Sequence, residues 1–314
     1  MLRTPLCGLL GIETPIIGAP YGPWQQVELA AALCEAGALG SLGTGLRTVP
    51  ELEAQWERLR ELTDRPFAIN HTNRPFDETA FAATLEAAPR AISFHMTVPG
   101  DLIARAHDAG ILWIQQVVDL REAEQAVEAG ADVIIAQGGE AGGHCGSVST
   151  MVLVPQVVDV AGDIPVVAAG GIADGRGLVA ALALGAKGVS MGTRFLASEE
   201  LGIDDSWKRR VVEADAADAV KVVNSERVLP PYSLPGSRLE PRALRTPLIE
   251  QLRDDPDSID PAAVGPQIKA SVIAGRGDEY LPFAGQSAGL IHEVLPAAEI
   301  VRRVVSEAEA VSVP

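Results

Sequence analysis

The sequence predicts an α/β fold, a (β/α)8 TIM barrel carrying a C-terminal helical, proline-rich insertion or lid. Three observations predict it. Short apolar runs ending in Gly, Pro or Asn alternate with Ala/Leu/Glu-rich stretches of helical period, the pattern of repeated βα units. Eight such runs can be counted, and eight parallel strands favour closure into a barrel over an open doubly wound sheet. The unusual residues, glycine clusters and a histidine, collect where strands give way to helices, the face on which barrels carry their active sites.

The strand candidates are Ile16–Pro20, Ala38–Leu42, Phe67–Asn70, Ala91–His95, Leu112–Val117, Val133–Ala136, Pro165–Ala169 and Gly188–Met191. Helices are expected near 26–36, 50–62, 77–87, 99–109, 121–129, 150–160 and 175–185. From 199 to 283 the rhythm breaks at Pro230, Pro231, Pro235, Pro241, Pro247, Pro256, Pro261 and Pro266. Proline removes a backbone donor and blocks helix interiors, so short helices and irregular connections are expected there. The chain therefore divides into a barrel over 1–198, an insertion over 199–283 and a returning helix in 284–314. In that last segment Leu290–Ala308 regains a helical period, with Ile291, Val294, Leu295, Ile300 and Val304 on the face expected to meet the barrel.

A chain of 314 residues with 47% hydrophobic content is long enough for one large core, and aromatics at 4% suit layers of small branched side chains. A formal charge of −17 argues against a large nucleic-acid interface, which needs clustered Lys and Arg. Cys7, Cys34 and Cys145 are too scattered for a disulfide framework or a structural zinc site. A reducing cytoplasm is the expected compartment. No secretory signal is read at the N-terminus, and no run of about 18 uncharged apolar residues suggests a membrane span.

Ile164-Pro-Val-Val-Ala-Ala-Gly-Gly-Ile-Ala-Asp-Gly-Arg-Gly177 runs an apolar strand directly into a glycine pair and then a helix. Gly170 and Gly171 let backbone amides approach a phosphate closely, and Gly188-Val-Ser-Met-Gly-Thr-Arg194 supplies a second such turn. Loops after the seventh and eighth strands are where barrels bind phosphate. The spacing fits FMN, a sugar phosphate or a nucleotide, and does not match the dinucleotide fingerprint.

Val133-Ile-Ile-Ala-Gln-Gly-Gly-Glu-Ala-Gly-Gly-His-Cys-Gly146 ends a strand in a loop with five glycines and one imidazole. So much glycine costs backbone entropy unless a ligand needs close approach. A largely neutral imidazole at His144 can accept a proton from a carbon acid or hydrogen-bond an oxyanion; anchoring its own loop is the plainer role. Cys145 is read as a small buried thiol, since no base can be assigned to it.

The segments Gln137–Gly146, Ala169–Gly177, Met191–Glu199 and Gly285–Ile291, with Ala19-Pro-Tyr-Gly22 and Ala36-Gly-Ala-Leu-Gly40, resemble the nitronate monooxygenase (2-nitropropane dioxygenase) family over nearly the whole chain. The Glu-Ala-Gly-Gly-His loop is shared with the flavin-dependent enoyl-ACP reductases. The resemblance implies an FMN-containing barrel whose catalytic base falls on His144. It makes Ala19, Pro20, Tyr21, Asn70, Gln116, Gln137, Gly142, Gly143, Gly170, Gly171, Met191, Gly192 and Thr193 cofactor-binding candidates, with Gln286 a weaker one. No metal ligand is expected. Tyr21 stands where family members usually carry Met, and Cys145 replaces a commonly larger residue; both bear on the substrate.

The implied reaction is oxidation of an alkyl nitronate by O2 to a carbonyl compound and nitrite. A second reading is reduction of an enoyl thioester, on ACP or CoA, by NAD(P)H; an acidic carrier protein would need a basic face, which a chain of net charge −17 does not promise. A third is a non-catalytic flavin or phosphate binder. The expected partners are a small-molecule substrate and O2, with no nucleic acid or membrane; a homodimer is the default for oligomeric state.

Overall fold

A computed structural model describes residues 2–230 and 232–311; Met1, Pro231 and residues 312–314, which the sequence reading had placed in the N-terminus, the insertion and the final helical segment, lie outside the described residues. Eight parallel strands form the barrel: β1 (Ile16–Gly18), β2 (Gly40–Gly43), β3 (Phe67–Thr72), β4 (Ala91–His95), β5 (Leu112–Val117), β6 (Val133–Gln137), β8 (Val166–Ala169) and β9 (Gly188–Met191). They follow the order β1-β9-β8-β6-β5-β4-β3-β2. The ring is completed where Gly18 N donates to Leu39 O and Leu39 N to Ile16 O, both at 2.9 Å. Seven helices alternate with these strands as expected, from Val27–Glu35 to Gly175–Ala183.

Two of these helices show how local sequence sets their start. Helix Glu78–Ala87 starts at Asp77, whose carboxylate accepts from the Thr79 and Ala80 amides, a cap worth about 1 kcal/mol. Helix Leu120–Glu128 is capped by Asp119 and turns Ala123 and Ala126 inward. The large core layer lies between strands and helices, around Phe81, Phe94, Trp113 and Val189. A second cluster fills the barrel's lower end, where Leu6, Cys7 and Leu10 pack on Ile17, Ile114 and Val167. Those first three residues belong to a helix, Pro5–Leu10, that the sequence reading did not anticipate. It plugs the N-terminal end of the barrel and leaves the C-terminal end open.

The segment 199–283 holds the short helices expected of it and, beyond that expectation, two strands. Helices Asp205–Glu213, Pro247–Asp254 and Pro261–Ile273 are present, and the last carries Pro266 in its interior. One forgone backbone bond does not end this helix. Two strands, β10 (Ala219–Lys221) and β11 (Glu240–Leu244), were missed. They pair antiparallel with each other, and β11 pairs antiparallel on its other side with β7 (Gly143–Cys145), a short strand inside the glycine-rich loop, with Pro241 opposite His144. Arg238 ties the segment to the barrel through Asp119 and, at 3.0 Å, Glu122. The tail's α-helix spans only Ala297–Ala310; Gln286–Leu290 is a 3-10 turn, residues 291–296 lie outside any helix, and Leu295 bridges to Ser198. Pro296 stands at the N-cap position of that helix.

Candidate active site

A cavity of about 780 Å³ opens at the C-terminal ends of the strands. The sequence-predicted residues Ala19, Pro20, Tyr21, Asn70, Gln116, Gln137, Gly142, Gly143, His144, Gly170, Gly171, Gly192 and Thr193 all line it. They come from the ends of β1, β3, β5, β6, β8 and β9, so the ring of strands brings together residues up to 174 positions apart. Met191 is the exception: it is 1% exposed and packed in the strand-to-helix core. Side chains alternate along a strand, so its neighbour Ser190 faces the cavity instead. Gln286 likewise is not among the lining residues, and Ser287 is.

The loop after β8 has the form of an anion cradle. Gly170 and Gly171 adopt φ of +96° and +74°, the left-handed region where a side chain is strained. Among the described residues, no acceptor meets the amides of Gly171 or Ile172. Gly192 and Thr193 begin the next helix and add amides that lack intrahelical acceptors. Thr193 Oγ1 accepts from Gly285 N at 2.8 Å, which fixes the turn.

Glu140 of the glycine-rich loop faces away from chemistry and into structure. Its carboxylate accepts from the Thr150 amide at 2.9 Å and from Thr150 Oγ1 at 2.8 Å, while that hydroxyl also approaches Gly170 O at 3.0 Å. The loop after β6 is thereby locked to the cradle after β8. Gly142 is required by close approach: a Cβ there would lie 2.6 Å from Ala284 C.

The polar walls leave one group unanswered. Gln137 Oε1 is buried and has no hydrogen-bond partner, a state that costs free energy unless a ligand supplies a donor. Asn70 Nδ2 is held by Ser93 Oγ at 2.9 Å. Tyr21 Oη donates to Gly192 O at 2.7 Å, and burial pushes the phenol's pKa up, so it stays protonated. Open amides on one side and an orphaned amide oxygen in the floor fit a phosphorylated cofactor with a polar ring.

His144 reaches the cavity from β7. Burial, reinforced by the His95, Arg74 and Lys221 charges, lowers its pKa to about 3, so the imidazole is neutral at physiological pH. Its Nε2 lies 3.0 Å from Ser233 Oγ. Cys145, next along the strand, is fully buried with its sulfur 3.0 Å from Lys221 Nζ. Lys221 also donates to the carbonyls of Cys145 and Gly146 at 2.8 Å, and thus pins the strand that carries the histidine.

Several lining residues escaped the sequence reading. His95 ends β4, and burial lowers its pKa to about 4; its place at a strand's C-terminal end was the available signal. Met96 follows it with φ of +79°, a strained conformation of the kind that clusters at functional sites. Arg227, Tyr232 and Lys269 come from the segment 199–283, and no motif marks them. Among the described residues there is no cluster of His, Cys, Asp or Glu that could hold a metal ion, and no helix is long and apolar enough to cross a membrane.

Comparison with known proteins agrees with this geometry. The chain is 39% identical to the (3aS,4S,5R,7aS)-5-hydroxy-7a-methyl-1-oxo-octahydro-1H-indene-4-carboxyl-CoA dehydrogenase of Mycobacterium tuberculosis, across 80% of this chain and 68% of that protein. It is 33% identical to the nitronate monooxygenase of Paraburkholderia phytofirmans, across 97% and 95% of the two chains. The structure of FabK from Thermotoga maritima superposes with a TM-score of 0.88 at 35% identity, covering 98% of this chain and 97% of that one. The family profile described as nitronate monooxygenase matches residues 3–307. A closed eight-stranded barrel, an amide cradle after its last strands and a neutral histidine over one cavity thus place the chain, along almost its entire length, in the nitronate monooxygenase family of flavin oxidoreductases.

Proposed function

We propose that this protein is an FMN-dependent oxidoreductase that oxidises an alkyl nitronate with O2 to a carbonyl compound and nitrite. The observation that carries the reading is His144, neutral and facing the same cavity as the amide cradle. The amides of Gly171, Ile172, Gly192 and Thr193 would hold the ribityl phosphate, and Asn70, Gln116 and Gln137 would meet the ring. FMN, when bound, supplies the redox step. The chain's own part is to grip the phosphate, exclude water and orient the substrate's oxygens.

A second reading, reduction or oxidation of an acyl thioester, is favoured by the cavity's extent. Its volume of about 780 Å³ reaches outward to Lys269, a cation suited to an anionic carrier such as CoA. The 39% identical relative named for a carboxyl-CoA substrate points the same way.

The test is an absorbance spectrum of the purified protein, followed by additions. The first reading expects a yellow protein that releases nitrite from propyl-2-nitronate in air and is not bleached by NAD(P)H without oxygen. Anaerobic bleaching by NAD(P)H, reversed by an enoyl-CoA, would replace it with the second reading. A protein that stays colourless with added FMN would reject both.

A further inference from the structure

We propose that two buried serines of the segment 199–283, Ser225 and Ser233, fix His144 as the tautomer with its proton on Nδ1, so that the imidazole meets substrate as a hydrogen-bond donor and not as a base. The argument is one of counting protons. Ser225 Oγ donates to Ser233 Oγ at 3.0 Å, and Ser233 Oγ lies 3.0 Å from His144 Nε2. Ser225 and Ser233 are 4% and 3% exposed, so both hydroxyls are shielded from bulk solvent.

If Nε2 carried the proton, Ser233 Oγ would accept it, and whichever way the two serines were then turned, one of their two hydroxyl protons would have no acceptor among the described residues. In the other direction every proton has a place: Ser225 to Ser233, Ser233 to Nε2. A buried hydroxyl left unpaired is unfavourable, so the chain of donors runs toward the ring and Nε2 is the acceptor.

The proton then resides on Nδ1. That atom has no hydrogen-bond partner among the described residues and is not a fully buried orphan, and His144 lines the cavity. The groups facing the ring from other elements reinforce neutrality: His95 from β4, Arg74 from the loop after β3 and Lys221 from β10 disfavour a second proton, and Phe283 lies 6.5 Å away, centroid to centroid. A nitrogen that already accepts from a buried serine is not free to take a proton from a carbon acid. A pre-ionised nitronate, or the carbonyl of a thioester, is instead offered an N–H. Ser233 is therefore a positioning residue, and sequence reading could not find it 89 positions from His144.

The donor role rests on the proposed reading that substrate meets His144; the tautomer does not. The experiment is a long-range ¹H–¹⁵N correlation spectrum of the ¹⁵N-labelled, FMN-loaded protein at neutral pH, with His144 assigned by its loss in His144→Asn. The expected result is a pyrrole-type Nδ1 and a pyridine-type Nε2. The reverse pattern would overturn the proposal whatever the activity. Ser233→Ala should admit the other tautomer and lower kcat on a nitronate at least about tenfold, with Ser233→Thr restoring both. If Ser233→Ala fails to fold, the wild-type spectrum decides alone. The expected tautomer with no nitronate turnover would leave the relay standing and reject the nitronate reading.

Discussion

The hydroxyl of Tyr21 donates to the carbonyl of Gly192 at 2.7 Å, joining the loop after the first barrel strand to the turn after the last. This single bond spans 171 positions of sequence and closes the rim beside the amide cradle. The phenol is held from behind as well: Trp24 lies 6.2 Å from Tyr21 and packs edge-on against Trp207 at 4.8 Å. Tyr21 is a built part of the wall.

Tyr21→Phe removes the bond across the rim and leaves the Gly192 carbonyl to the Phe195 and Leu196 amides of its own turn. A loss of about 1 kcal/mol in stability is expected, together with weaker FMN binding because the Gly192 turn loses its tether. Urea unfolding and flavin titration check this. Unchanged midpoint and unchanged affinity would show that the rim does not depend on the bond.

Gly171→Val places a β-branched side chain at φ of +74°. The strain is on the order of 1–2 kcal/mol, and the backbone must rotate its open amide away from the phosphate site. Flavin content should fall at least about tenfold while the far-ultraviolet dichroism of the barrel is kept. A variant purified with a full complement of FMN would place the phosphate elsewhere.

Gln137→Leu separates the cost of an orphan from its use. Without ligand, the buried Oε1 has no partner, so the apoprotein should lose no stability and gain up to about 1 kcal/mol. FMN affinity should drop roughly tenfold as one hydrogen bond disappears. Thermal melts of apo and FMN-loaded protein read both effects. A destabilised apoprotein with unaltered FMN affinity would contradict the assignment.

Three histidines make the fold sensitive to acid. Burial holds His71 and His95 at about 4 and His144 at about 3, against an ordinary value of 6.5. Between those values the unfolded chain takes up protons that the native chain refuses. Stability is therefore complete above about pH 6.5 and is lost as pH falls toward about 4. For His71, which is 1% exposed and packed on Phe81, the slope reaches about 1.4 kcal/mol per pH unit; the cavity-facing pair adds less. Urea midpoints at pH 7, 6 and 5 should decline in order, and a flat series would refute the linkage.

Much of the barrel was legible because its strands are short apolar runs, most of them with a glycine, proline or asparagine at or just past the end. Ala91–His95, Leu112–Val117 and Gly188–Met191 have the bounds the sequence suggested. The glycine clusters and His144 were legible for a related reason: their composition is costly unless a site demands it. Contacts made across long separations were not. Glu240–Leu244 is short and carries a proline, and its partner strand lies 95 positions away where Glu240 meets Cys145. Met191 was misplaced because a motif identifies neighbours in sequence, while strand alternation turned Ser190 toward the cavity. Lys269 and Ser233 are ordinary residues in their local context, and only packing gives them a place at the site.

The strand that carries His144 is paired to Glu240–Leu244 and pinned by Lys221. Covering segment and reactive group therefore share one hydrogen-bonded register and are not interchangeable modules. Grafting a relative's lid onto this barrel would re-aim the imidazole along with the walls, so divergence in substrate choice within such a scaffold has to be accompanied by retuning at position 144 itself.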